Sequence, residues 1–271
     1  MRILPVVAAA LLTVFSTVSA QGHEFWLDPV AFRLEPGEPI IADIRVGENF
    51  NGGAYSYLPR SFKRFDLALG RKLSRVSGRA GDIPAVNKMP LGEGLHVLLE
   101  TTGDNKLRYK DRETFETFVT HKDFDWALET HASRGLPDDG FLELYSRYAK
   151  ALIQVGEGDG QDREFGLLTE IVARANPYVD DISSGMPVTV LYQGEPRQDT
   201  QVEVFEKAAD DSVTSFTLRT DDAGQTVVPV KPGYRYLVDA VVLREPVEAK
   251  ARAFGAVWES LWASLTFQVP E

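Results

Sequence analysis

Residues 37–46 read GEPIIADIRV, from Gly37 to Val46. Ile40, Ala42, Ile44 and Val46 recur at period 2, which gives one apolar and one polar face, the pattern of a half-buried strand. Pro39 stands at the strand start, where its missing N–H costs no ladder bond. Residues 185–191, GMPVTVL, open the same way, with Pro187 followed by Val188 and Val190 on one face. Two such Gly-x-Pro starts, far apart in the chain, predict two β-sandwich modules.

The second module has the clearer pattern. Val202 and Val204 alternate in QVEVF, and Phe216 and Leu218 alternate in SFTLRT. The turn Thr220-Asp221-Asp222-Ala223-Gly224-Gln225 places Gly224 where positive φ is wanted. Pro232-Gly233 leads into Tyr234, Tyr236, Val238, Ala240 and Val242, and Leu261, Ala263, Leu265, Phe267 and Val269 close the chain at the same period. Short strands separated by turns predict an antiparallel sandwich.

Between the modules the period changes to helical. Between Arg112 and Arg134, Phe115, Phe118 and Val119, then Phe124, Ala127 and Leu128, fall at helical spacing. Beyond the break Gly135-Leu136-Pro137, Asp138 and Asp139 read as N-caps, and Phe141, Leu144, Tyr145, Tyr148 and Leu152 continue a second helical face. The expected fold is therefore mainly β: two antiparallel, Ig-like or transthyretin-like β-sandwich modules with an inserted or linking helical hairpin. The expected division is a signal peptide over 1–20, an N-terminal sandwich over 21–110, the hairpin over 111–155 and a C-terminal sandwich over 156–271.

The signal peptide rests on Arg2, an almost wholly apolar run from Ile3 to Val14, and Val18-Ser19-Ala20 as a small-x-small cleavage site. The run is shorter than the roughly 20 residues a membrane span needs. Cleavage after Ala20 sends the chain to the periplasm, with no membrane insertion afterwards. It leaves 28 basic against 40 acidic side chains and takes the formal charge from −11 to −12. An acidic surface disfavours nucleic acid and anionic lipid. Cysteine is absent, which removes disulfides, thiolate metal sites and a Cys nucleophile.

Cleavage after Ala20 would start the mature chain at Gln21-Gly22-His23. The α-amine of Gln21, the amides of Gly22 and His23 and the His23 imidazole are four nitrogen donors held in a plane by their chelate rings. Square-planar nitrogen suits Cu(II) or Ni(II). Cleavage after Gly22 would make His23 the first residue, whose amine and ring also chelate. Cyclisation of Gln21 would remove one donor. Among the other histidines, His121 and His131 are ten apart, which is not an i, i+4 metal pair. His96, in the apolar strand GLHVL, is a second candidate ligand.

Other motifs resolve into structure. Glu157–Asp162 resembles part of a calcium loop, but its glycine is misplaced and Leu168 stands where a bidentate Glu is required. Neither a phosphate loop, a G-x-S-x-G elbow nor H-E-x-x-H occurs. Trp258 and Trp262 read as packing residues.

Taken together, the start His23-Glu24-Phe25-Trp26-Leu27, the segment YSRYAKAL (145–152), Asn176-Pro177-Tyr178, a Gly-x-Pro strand and the closing WASLTF (262–267) resemble a family. It comprises exported bacterial proteins of unknown function, often described as periplasmic components of cobalt or nickel transport systems. The C-terminal half is also similar to transthyretin-like and carboxypeptidase-regulatory sandwiches, through Gly194-Glu195-Pro196 and Thr220–Gly224. The resemblance implies metal-ion binding or delivery in the periplasm and transfers His23 alone as a ligand. Here Gln21-Gly22 precede the histidine that more commonly follows the cleavage site directly, which favours the three-residue chelate.

The expected function is that of a non-enzymatic periplasmic binding or delivery protein for Ni, Co or Cu. Its metal donors are Gln21, Gly22, His23 and His96, and its partner an inner-membrane metal uptake transporter. The alternative is a non-catalytic envelope adaptor for a protein or carbohydrate. A hydrolase ranks last, because no nucleophile–base constellation is visible.

Overall fold

The computed structural model describes residues 24–271. The first half carries strands β1 (Glu24–Pro29), β2 (Arg33–Leu34), β3 (Ile40–Glu48), β4 (Asn51–Tyr55), β5 (Phe62–Leu69), β6 (Lys72–Arg75), β7 (Val86–Lys88), β8 (Gly94–Thr102) and β9 (Asn105–Arg108). Helices α1 (Arg112–His121) and α2 (Trp126–Ser133) follow. Then come β10 (Leu142–Val155), β11 (Thr169–Ala173), β12 (Met186–Tyr192), β13 (Glu195–Pro196), β14 (Gln201–Lys207), β15 (Val213–Arg219), β16 (Gln225–Val228) and β17 (Arg235–Arg244). Helix α3 (Glu248–Phe254) precedes β18 (Ala256–Gln268).

The protein is mainly β and of sandwich type, as its period-2 segments require. One long sheet, ordered β15-β14-β17-β18-β10-β8-β5-β6, takes strands from both halves of the chain. A small sheet of β1, β3, β4 and β7 covers part of one face, and a small sheet of β11, β12, β13 and β16 lies on the other. Most ladders are antiparallel, but β10 runs parallel to β18 from Leu142 to Ala151 and to β2 at its end.

Side-chain parity sorts the cores. Leu95, Val97 and Leu99 of β8, with Tyr236, Val238 and Ala240 of β17, pack towards β11 and β12. Leu98, Ala149, Ala151 and Ile153 pack towards β1 and β3. Further along that second face, Val241, Leu243, Trp258 and Trp262 receive Phe115, Phe118 and Val119 of α1 and Ala127 of α2. The two tryptophans are packing residues, as expected. Helix α1 starts where the Asp111 carboxylate accepts the Thr114 N–H at 2.8 Å, an N-cap.

The helical reading of 141–152 is corrected: from Leu142 onward these residues are strand β10, and the helical hairpin is confined to α1 and α2. A strand covered on both faces loses its alternation and reads as a continuous apolar run. In YSRYAKAL the even residues enter one core and the odd residues the other, so apolar side chains also fall at i, i+3 and i+4. Asp138 caps no helix; it pairs with Arg112 at 2.7 Å. Gly135, at φ 63, ends α2.

The segment Glu157–Asp162 ends in a buried carboxylate. Asp162 is buried and lies 2.7 Å from Lys150 Nζ, which also meets Glu170 at 3.1 Å. This buried triad sits between β10 and β11. Among the described residues, no helix is long and apolar enough to cross a membrane.

Candidate functional site at the amino-terminal strand

Gln21, Gly22 and His23 lie outside the described residues. The described chain begins at Glu24, and a pocket begins with it. Glu24, Glu48, Asn49, Thr117, Phe118, His121, Lys122, Glu203 and Phe205 enclose about 70 Å³. That space holds a few water molecules or a partly hydrated ion rather than an organic ligand.

Four elements meet there. β1 supplies Glu24 and is tied to β18 by the Ser264 hydroxyl, which donates to the Phe25 carbonyl at 2.7 Å. The two-residue loop Asn49-Phe50 joins β3 to β4 with φ of 53 and 54, the geometry of a type I′ turn. Positive φ is costly for phenylalanine, and here the ring is buried against Trp26 at 5.4 Å. Helix α1 delivers His121 and Lys122 at its C-terminal end, where the helix dipole favours cations. β14 supplies Glu203 and Phe205.

The electrostatics centre on Lys122. Its side chain is 5% exposed, and Nζ lies 2.5 Å from Glu203 and 3.0 Å from Asp239. Burial alone would lower its pKa, but the two carboxylates outweigh that and raise it. His121 Nε2 lies 3.2 Å from Glu203 on the solvent side. Burial favours the neutral form of Glu203, yet the contacts with His121 and Lys122 hold its pKa down at about 2. Asp239 moves the other way, because complete burial outweighs Lys122.

Glu24 is the anomaly. It is 7% exposed, and its Oε2 has no hydrogen-bond partner. Burial, reinforced by the charge of Asp239, pushes its pKa up to about 8. Three carboxylates, those of Glu24, Glu203 and Asp239, thus surround one lysine. Burial and mutual repulsion hold Glu24 and Asp239 towards their protonated forms, and a cation entering the cluster would displace the proton on Glu24.

Among the described residues, no three His, Cys, Asp or Glu side chains converge at metal-ligand distance. The described side chains of the pocket do not by themselves form a metal coordination shell. His96 is elsewhere, fully buried on β8. The Leu91 N–H donates to its Nε2 and its Nδ1–H donates to the Gly94 carbonyl, each at 3.0 Å. Both ring nitrogens are committed to backbone, and burial holds its pKa below the usual value. His131 is similarly occupied: Nδ1 accepts from Trp258 at 3.0 Å and Nε2 lies 2.9 Å from the Pro137 carbonyl.

Sequence reasoning placed none of Glu24, Lys122, Glu203 and Asp239 in a site. The signal was present: in QVEVF and YLVDAVV an acidic residue interrupts the apolar run. A single-sided strand would turn Glu203 and Asp239 to water. Here the second face is covered by α1, so both are buried.

No curated protein matches this chain. Among solved structures, the D0-D1 domain of Intimin is similar at 12% identity and a TM-score of 0.23, covering 90% of this chain and 97% of that one. Residues 20–244 match the family described as Domain of unknown function (DUF4198), and this protein belongs to that family.

Proposed function

We propose that this is a periplasmic binding or delivery protein for a divalent transition metal, Ni(II), Co(II) or Cu(II), serving an inner-membrane uptake transporter. The amine of Gln21, the amides of Gly22 and His23 and the His23 imidazole hold the ion. The acidic pocket that starts at the next residue supplies the compensating charge. The observation that carries this reading is the buried, unpartnered Oε2 of Glu24, in a pocket shared with His121 and Glu203. A buried carboxylate oxygen with no partner is a place for a cation to bind.

His96 has no part in this reading, because ligation would break its bonds to Leu91 and Gly94. The metal is cargo, and the chain's own residues bind it, neutralise it and partly desolvate it.

The test is titration of the exported protein with Ni(II) and Cu(II), after intact mass has located its first residue. Wild type binds one ion; His23→Ala loses at least about tenfold in affinity, and Glu24→Gln loses less. Equal affinity in wild type and His23→Ala overturns the proposal and leaves the envelope-adaptor reading in its place.

A further inference from the structure

Lys150 shares the strand parity of Tyr148 and Leu152, which pack from β10 into the core beneath β11 and β12. Asp162 comes from the segment between β10 and β11, and Glu170 from β11 itself. The three side chains are 1%, 0% and 1% exposed. Lys150 Nζ lies 2.7 Å from Asp162 Oδ2, 3.1 Å from Glu170 Oε1 and 3.2 Å from the Arg163 carbonyl. The Phe165 ring is 5.2 Å from the same nitrogen.

Backbone amides fix both carboxyl groups. The Arg163 N–H donates to Asp162 Oδ1 at 2.8 Å, and the Ala173 N–H donates to Oδ2 at 2.9 Å. Donors on both oxygens draw electron density from the carboxyl carbon and stabilise an oxyanion formed there. The Phe165 N–H donates to both oxygens of Glu170, at 2.9 and 3.1 Å, and the Leu167 N–H donates to Oε2 at 3.2 Å. Glu170 is thus held in place while its Oε1 faces the lysine.

This is the arrangement of a reaction as well as of an ion pair. Ions taken out of water are costly, and here one ammonium faces two carboxylates. Condensing the ammonium with one of them replaces two opposite charges by a neutral amide. An oxygen at 2.7 Å sets the carbon bonded to it close to the roughly 3–3.5 Å of a near-attack pair, a placement worth an effective concentration of about 10⁵–10⁸ M. Exclusion of water protects the product from hydrolysis.

We infer that Lys150 and Asp162 condense to an intramolecular isopeptide bond, with Glu170 as the proton carrier. Nζ passes a proton to Glu170 Oε1, and the freed lone pair attacks Asp162 Cγ. The Nζ–Cγ bond forms and one Cγ–O bond breaks. That oxygen leaves as water with two of the three Nζ protons, one of them returned by Glu170. The third proton stays on the amide nitrogen, beside the Arg163 carbonyl. Ammonium and carboxylate give a neutral amide and neutral water, so charge balances and no oxidant or co-reactant is consumed. The bond ties β10 of the long sheet to the segment leading into β11 of the small one, in a chain with no cysteine for a disulfide. It does not rest on the metal proposal.

The test is mass spectrometry of the purified protein, unfolded and digested with trypsin. An amide on Lys150 blocks cleavage after that residue. The expected product is one looped peptide, residues 148–163, lighter than its sequence by one water, about 18 Da. Backbone breaks between 150 and 162 release no separate fragments from it. A cyclised Gln21 or an aspartyl imide leaves Lys150 cleavable, so neither mimics this result. Folded Glu170→Gln protein yields mainly the free peptides 148–150 and 151–163, since a proton carrier is worth about 10²–10⁴ in rate. If wild type yields mainly those free peptides, the inference is overturned and the triad is an ion pair only. A cross-link from Lys150 to peptide 164–174 overturns the choice of Asp162. A looped peptide that forms as fast in Glu170→Gln overturns the role of Glu170. Should that variant fail to fold, the wild-type digest alone decides.

Discussion

Lys122 Nζ lies 2.5 Å from Glu203 Oε2, joining the end of helix α1 to strand β14 through an ion pair that water barely reaches. Asp239 on β17 completes the triad at 3.0 Å. Removing the lysine would leave two buried carboxylates facing each other. Lys122→Met is expected to cost about 3–5 kcal/mol, the range for breaking a buried pair from one side. Urea denaturation measures it. Adding Glu203→Gln to that variant should recover part of the loss; no recovery would mean the lysine matters through its packing on Trp262 instead.

The pH dependence of stability follows from carboxyls that burial holds protonated. Glu100 is pushed up to about 8 and Glu143, which accepts from Tyr109 and Ser260, to about 7, both from an ordinary 4.5. With folded values above unfolded ones, their stabilisation is fully present below pH 4.5 and is lost as pH rises through 7–8. Each group gives a slope of at most about 1.4 kcal/mol per pH unit within its window. The urea midpoint should therefore fall between pH 5 and pH 8, and Glu100→Gln should flatten that fall. A midpoint that rises over this range would refute the assignment.

At the β3–β4 turn, strain and packing oppose each other. Phe50→Gly removes a positive-φ penalty of about 1–3 kcal/mol. It also removes a buried ring, a loss of about 3–5 kcal/mol when a core Phe is truncated. Packing wins, and a net destabilisation of about 2 kcal/mol is expected in thermal or urea unfolding. A stabilised Phe50→Gly would show that Trp26 repacks without its neighbour.

His96→Ala separates structural from metal-binding histidines. It strips the partners from the Leu91 N–H and the Gly94 carbonyl in a buried site, costing about 1–3 kcal/mol for each group left unsatisfied. Nickel and copper affinity should be unchanged. A drop in affinity with the fold intact would restore His96 as a ligand.

Much of this molecule is legible one strand at a time. Alternation in GEPIIADIRV, QVEVF and the long 234–242 run identifies strands without reference to the rest of the chain, because each keeps one apolar face. The turn at Gly224 is equally local. The metal chelate proposed at His23 is local in the same sense, since donors from adjacent residues need no fold.

What tertiary structure alone decided is which strands have two buried faces. Only the assembled long sheet, covered on one side by β11 and β12 and on the other by β1, β3 and α1, makes 142–155 a strand rather than a helix. It also turns Glu100, Glu203 and Asp239 from solvated side chains into buried charges. Period-2 reasoning reports which way a side chain points but not what stands opposite it. Burial, and the titration and binding that follow from it, depend on partners tens to hundreds of residues away in sequence.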